Sequence, residues 1–181
     1  GSKENTQTSD SHRLGKNEAK VVYRHHPSKV WSTRRITPRT ERTMKLRRPQ
    51  DEIAGCCWLA RIADKVRASQ KGDLPFLYRL LLGNPLGIDG YFLRHFGLSF
   101  PHVRQAVIDT KHDNDLAQWF LAQPGVTMET ITKWNEYGPK LGTPSYPGSW
   151  FKHLAKWVVY PKSIKHPVDS FFDMIEQDEA G

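Results

Sequence analysis

The sequence predicts an all-α domain of about seven or eight short helices, preceded by a basic, largely extended arm. Apolar residues recur at helical spacing from about residue 50 to the C-terminus, and strand-like alternation is nearly absent. Proline and glycine interrupt this pattern at short intervals, so each predicted helix is short. We therefore expect a single helical domain at residues 46–181 and an N-terminal arm at residues 1–45.

The charge distribution divides the chain at nearly the same place. Residues 1–48 contain 13 Lys and Arg against 4 Asp and Glu, whereas the remaining residues contain 14 against 15. Residues 1–20 are polar, and we expect them to be disordered. Residues 21–48 mix basic side chains with Tyr23 and Trp31, and their prolines favour an extended segment that lies over the domain or over a neighbour.

The individual helices are predicted from apolar repeats and from capping residues. The first is predicted over residues 50–71, with Pro49 in its first turn and Gly72 at its end. Ser99, Asp113 and Thr127 are predicted N-caps of later helices. Residues 74–83 are predicted to form a short apolar helix or a turn, and the other helices begin near Ile88, Trp150 and Val168. The inward residues predicted for the helix after Thr127 are Met128, Ile131 and Trp134.

Three charged residues of the first predicted helix share one face. Arg61, Asp64 and Lys65 lie almost opposite an apolar side that contains Leu59 and Ile62. The simplest interpretation is a solvated face, with Asp64 paired to Arg61 or to a neighbouring arginine. However, Arg61 and Lys65 are like charges four residues apart, which disfavours the helix unless an anion or another acid lies between them.

The surrounding sequence resembles a bacterial family of unknown function, domain of unknown function 5069. The matching residues of its opening motif are Leu46, Arg47, Pro49, Gly55, Leu59, Arg61, Asp64, Lys65 and Arg67, and Ala60 stands where the family usually has proline. The resemblance continues through "LGIDGYFLRHFGL", "NDLAQWFLA" and "ITKWNEYG", so that it covers about residues 46–140. Residues 141–181 and the arm look like additions. The resemblance implies that the three charged residues serve a common purpose, but the family has no assigned activity.

That purpose is either ligand binding or structure. In a ligand site, Arg61 offers a planar fork to a carboxylate or phosphate, Lys65 adds a point charge, and Asp64 orients both. Arg67, Asp89, Trp134 and Asn135 complete the predicted ligand contacts. In a structural cluster, the same charges only hold helices together.

Acid–base chemistry is predicted for Asp64, His95 and His102. The two histidines flank a turn, and a nearby carboxylate such as Asp89 or Asp109 gives either one a suitable proton partner. No metal-ligand spacing, phosphate loop or dinucleotide motif is present in the sequence. We therefore predict no metal site and no cofactor.

Three functions remain open at this point. The first is a small soluble protein that binds a small anionic or polar molecule, with cofactor-independent acid–base catalysis as its enzymatic form. The second is a binding or adaptor module whose basic arm engages nucleic acid, which we do not favour, or an acidic protein. The third is a structural protein. We expect a cytoplasmic location with no secretory leader, no membrane partner, and a homodimer as one open oligomeric state.

Overall fold

A computed structural model of the chain describes residues 45–180, and within this range it is a helical domain with one short hairpin. The strands are β1 (Glu52–Ile53) and β2 (Cys56–Cys57). The helices are α1 (Leu59–Lys71), α2 (Phe76–Leu81), α3 (Ile88–His95), α4 (Phe100–Asp109), α5 (Asp113–Leu121), α6 (Met128–Tyr137), α7 (Ser149–Val158) and α8 (Phe171–Ala180). Short 3-10 helices occupy Gly138–Lys140 and Pro161–Lys165. The predicted all-α class is confirmed, and the predicted arm lies outside the described residues except for Lys45.

The helix predicted over residues 50–71 is wrong in its first part, which is an antiparallel hairpin. Ala54 and Gly55 have φ angles of 56° and 68°, so they form a two-residue turn that pairs Ile53 with Cys56. Trp58 follows with φ 72°, and α1 begins only at Leu59. The two consecutive left-handed residues reverse the chain direction between the strands. The spacing of apolar residues does not indicate such a turn.

The predicted helix ends are correct at some positions and wrong at others. Gly72 ends α1 in the left-handed conformation, as predicted. Thr127 caps α6, also as predicted, and it does so in a reciprocal pair with Thr130. Ser99 stands at the N-cap of α4 without a side-chain hydrogen bond. Asp113 is not a cap, because it is the first residue of α5 and its carboxylate binds two arginines.

The core surrounds α1 and an aromatic cluster. Apolar side chains of α1 are almost completely buried. Five ring pairs within the cluster have centroids 4.9–6.2 Å apart, and its members are Phe92, Phe96, Phe120 and Trp134. The inward position predicted for Met128 is wrong, since this side chain is 71% exposed. Within the part of the chain that the structure describes, no helix has the length and apolar content that crossing a membrane requires.

Side chains of α6 attach the hairpin to the core. Trp134 Nε1 donates to the Cys57 carbonyl at 3.1 Å. Asn135 Oδ1 accepts from the Cys57 backbone N–H at 3.0 Å, and its Nδ2 donates to the Gly55 carbonyl at 2.7 Å. The Asn135 amide thus bonds a backbone donor and a backbone acceptor of the hairpin.

We expect Asn135→Ala to lower the free energy of unfolding by about 1–3 kcal/mol, because it leaves the Cys57 N–H without its partner. Urea unfolding followed by circular dichroism measures this loss. The neighbouring Glu136→Ala, at an exposed position, is the matched control and should stay within about 0.5 kcal/mol of the parent. An equal effect of both substitutions would show that Asn135 does not hold the hairpin.

Candidate functional site

A cavity of about 60 Å³ lies between α1, the α2–α3 region and the segment that includes α7. Its wall combines aromatic and apolar side chains with two cations and one carboxylate. The residues that line it are Trp58, Arg61, Lys65, Tyr78, Leu81, Leu86, Gly87, Ile88, Asp89, Tyr91, Phe151, Ala155, Val159, Tyr160 and Phe171. A mostly apolar pocket with a few fixed polar groups is the usual form of a small-molecule site.

Lys65 and Asp89 form a buried ion pair in this wall. Lys65 Nζ lies 2.5 Å from Asp89 Oδ1, and the two residues are only 4% and 2% exposed. Asp89 also accepts hydrogen bonds from Trp58 Nε1 at 2.8 Å and from the Gly83 backbone N–H at 2.9 Å. Burial lowers the pKa of Lys65, although the charge of Asp89 opposes this shift. Among the described residues Lys65 donates one hydrogen bond, so two of its N–H groups remain available.

Arg61 holds a carboxylate from the far end of the chain. Its guanidinium makes a bidentate ion pair with Glu179, the penultimate residue of α8, and its Nη1 donates to the Arg47 carbonyl at 2.7 Å. Arg61 is 1% exposed. Burial opposes its charge, but the hydrogen bonds and charge of Glu179 outweigh this effect and raise the pKa of Arg61.

Aromatic residues surround the two cations. Lys65 Nζ lies 4.9 Å from the centroid of the Trp58 ring, and Arg61 Cζ lies 5.8 Å from it. Tyr78 donates to Glu179 Oε1 at 3.2 Å, whereas the Tyr160 hydroxyl has no hydrogen-bond partner among residues 45–180. Burial raises the pKa of both tyrosines, so both hydroxyls stay protonated and can donate.

The charges of the site balance only because Glu179 is present. Arg61 and Lys65 contribute two positive charges, and Asp89 and Glu179 contribute two negative charges. Without Glu179, the cavity wall would carry one uncompensated cation. Such a site can accept a single negative charge from another molecule without adding net charge to a buried region.

Asp64 belongs to a separate cluster and does not orient Arg61 or Lys65, contrary to the predicted arrangement. Its carboxylate binds Arg47 through Nε at 2.9 Å and Nη2 at 2.7 Å. Arg47 and Arg67 also share the carboxylate of Asp113, at 2.5 Å and 2.8 Å.

The side chains of this cluster do not line the cavity, and Arg67 Nη2 is buried there without a partner among the described residues. The cluster joins the segment before the hairpin to α1 and α5. The predicted solvated face is wrong for Arg61 and Lys65, since both are buried. Asp64 is half-buried and ion-paired.

The structure does not bring the predicted histidines to the cavity. His95 Nε2 lies 2.8 Å from the Thr130 carbonyl oxygen, and its ring packs on Trp134 beside a shallow surface groove. His102 is exposed and stacks edge-on against Trp119. The Asp109 carboxylate accepts from Gln105. Trp134 and Asn135 hold the hairpin and do not line the cavity. Of the nine predicted site residues, Arg61, Lys65 and Asp89 line one cavity.

Trp58, Tyr160 and Glu179 were not predicted as site residues. One signal for Glu179 was present, because the like charges of Arg61 and Lys65 required acids or an anion between their ends. The acids that pair with these cations are Asp89, 24 residues from Lys65, and Glu179, 118 residues from Arg61. Among the described residues no group of three or more His, Cys, Asp or Glu could hold a metal ion.

The chain belongs to the family described as domain of unknown function (DUF5069), whose match covers residues 43–181. The match includes residues 141–181, the segment that contributes α7, α8 and Glu179. The prediction that this segment is an addition to the family is therefore wrong. A search of curated proteins found no match.

We expect Asp89→Ala to lower the free energy of unfolding by about 3–5 kcal/mol, because it leaves Lys65 buried without a counter-charge and removes the acceptor of Trp58 and Gly83. Lys65→Met should lower the free energy of unfolding by only about 2 kcal/mol, because the Asp89 carboxylate keeps two of its three hydrogen-bond donors. Urea unfolding measures both losses, and Asp109→Ala on the exposed face of α4 is the control. A larger loss for Lys65→Met than for Asp89→Ala would contradict this order.

Proposed function

We propose that the cavity binds a small organic anion, first of all a carboxylate, through Arg61 and Lys65. One observation carries this proposal: the Arg61 fork, buried in an aromatic wall, already holds a carboxylate, that of Glu179. A guanidinium binds a carboxylate in this bidentate form with geometric specificity. The free N–H groups of Lys65 and the Tyr160 hydroxyl supply further donors on the same wall.

The volume of the cavity with Glu179 in place favours a ligand of a few heavy atoms. A water molecule needs about 10–15 Å³ of this kind of volume, so about 60 Å³ holds roughly four to six waters. An anion of about four to six heavy atoms, such as acetate, lactate or phosphate, has the corresponding size.

Charge balance favours exchange between the ligand and Glu179. A monoanion at Arg61 in place of Glu179 keeps the sum of the buried charges at zero, whereas an anion added beside Glu179 would not. The ligand therefore takes the position of the Glu179 carboxylate, and the last turn of α8 is released. This is a competition within one site, and the affinity for the anion includes the cost of displacing Glu179.

Lys65 and Asp89 are the residues that would carry out acid–base chemistry in this cavity. They are in contact at 2.5 Å and face the bound anion, whereas His95 and His102 lie elsewhere. This pair needs no cofactor to move a proton. Free, buried Cys56 and Cys57 support a reducing, cytoplasmic location. The alternative, an arm that engages nucleic acid or an acidic protein, concerns residues outside the described range and stays a prediction.

The first test is thermal unfolding of the purified chain with acetate, lactate and inorganic phosphate. We expect the melting temperature to rise with anion concentration, because a ligand of the native state stabilises it by mass action. In Lys65→Met the rise should disappear although the protein is folded. No rise with any of these anions, or the same rise in Lys65→Met, would refute the proposed site.

The second test is Glu179→Gln, which removes the internal competitor. We expect the affinity for lactate, measured by titration calorimetry, to increase about tenfold, equivalent to about 1.4 kcal/mol. Glu176→Gln on the same helix is the matched control and should leave the affinity unchanged. If Glu179→Gln lowers the affinity or has no effect, the anion binds beside Glu179 and the exchange is wrong.

A further inference from the structure

The outer face of α7 carries an apolar stripe that the described domain does not cover. Trp150, Leu154, Trp157 and Val158 are 82%, 56%, 69% and 52% exposed. Their spacing of four, three and one residues places all four on one side of the helix. Isolated exposed apolar residues are ordinary, but two tryptophans and two aliphatic residues in one stripe form a contiguous patch.

The fold uses only part of the apolar surface of this helix. Phe151 and Ala155, on the neighbouring side, line the cavity, and Ala155 is buried. The apolar arc of α7 is therefore wider than the surface it packs against the domain. The four exposed residues, including both tryptophans, form the part of this arc that does not pack against the domain.

From residue 137 to residue 168, a stretch that includes α7, every charged residue is a lysine, whereas residues 169–179 contain five acids. Between Glu136 and Asp169 the chain contains five lysines and no Asp, Glu or Arg. Lys152 and Lys156 donate to the carbonyls of Asp169 and His166, which fixes the segment after α7. Lys162 and Lys165 are exposed in the short 3-10 helix that follows α7.

We propose that the α7 stripe binds the surface of a membrane that contains anionic phospholipid. A short helix with Trp and Leu on one side and lysines around it lies in the interface between headgroups and acyl chains. Tryptophan favours this interface because its ring is apolar and its N–H is polar. The lysines attract the anionic headgroups.

The charge argues against a second copy of the chain as the occupant of this face. A symmetric dimer through α7 would bring two lysine-rich segments together with no acidic residue between Glu136 and Asp169 on either side. An anionic surface meets the same lysines with complementary charge. This contact needs no spanning helix, but it departs from the expectation of no membrane partner, which rested on the lack of an apolar run long enough to span a bilayer.

The test uses the full chain and vesicles of phosphatidylcholine and phosphatidylserine with brominated acyl chains, which quench tryptophan fluorescence on contact. We expect quenching of the parent with these vesicles. The double variant Trp150→Ala/Trp157→Ala, whose binding is measured by cosedimentation with the vesicles because it lacks the two reporting rings, should have an approximately tenfold lower partition coefficient. Because both rings are exposed, the variant should melt at the temperature of the parent.

Trp31→Ala is the matched control, since the basic N-terminal residues can also be attracted to anionic vesicles. At the same salt concentration it should retain the quenching of the parent, because Trp31 is not part of α7. Absence of quenching would overturn the proposal, and so would an equal fall in the partition coefficients of Trp31→Ala and the double variant. So would a dimer that the double variant abolishes while vesicles quench nothing, because a second copy would then cover α7.

Discussion

The Asp89 carboxylate is the group on which the arrangement of the site depends. One side chain on α3 accepts hydrogen bonds from Trp58 at the start of α1, Lys65 within α1, and Gly83 after α2. A buried carboxylate needs these donors, so the three elements are held at fixed distances around it. Burying an ion pair carries a large desolvation cost, and apolar residues often hold helices equally well. Stability alone therefore does not account for two charges at this position.

The second constraint is the ion pair between Arg61 and Glu179, which connects α1 to the last turn of the domain. The segment that ends at Glu179 also supplies one wall of the cavity, including Phe171. Phe171 lies against Gly142 and Gly148, where an added Cβ would come within 2.9 Å and 2.4 Å of its ring. Both glycines have positive φ, so they permit a turn and a close approach that other residues would obstruct. The C-terminal segment is thus part of the site and not a cover added to a finished domain.

Helix existence was predictable, whereas the site was only partly so. Apolar repeats and signals such as Gly72 and Thr127 depend on neighbours in sequence, and these gave the helical class and several helix ends. The hairpin was missed because Ala54 takes a left-handed conformation without the usual Asn or Asp. Arg61 and Lys65 were identified as a pair, but a helical wheel assigns charged residues to solvent. It contains no information about partners such as Asp89 and Glu179, which reach α1 only through the tertiary fold.

The two proposed surfaces share one structural segment, and this connects them physically. Asp178, next to Glu179, accepts a hydrogen bond from the Lys162 backbone N–H at 2.8 Å, in the segment that carries the exposed lysines. An anion that replaces Glu179 at Arg61 therefore frees a turn of α8 that is bonded to the end of the α7 surface. Coupling between two binding events is reciprocal by thermodynamic necessity. If releasing Glu179 changes the affinity of α7 for lipid, then lipid bound at α7 changes the affinity of the cavity for its anion by the same factor.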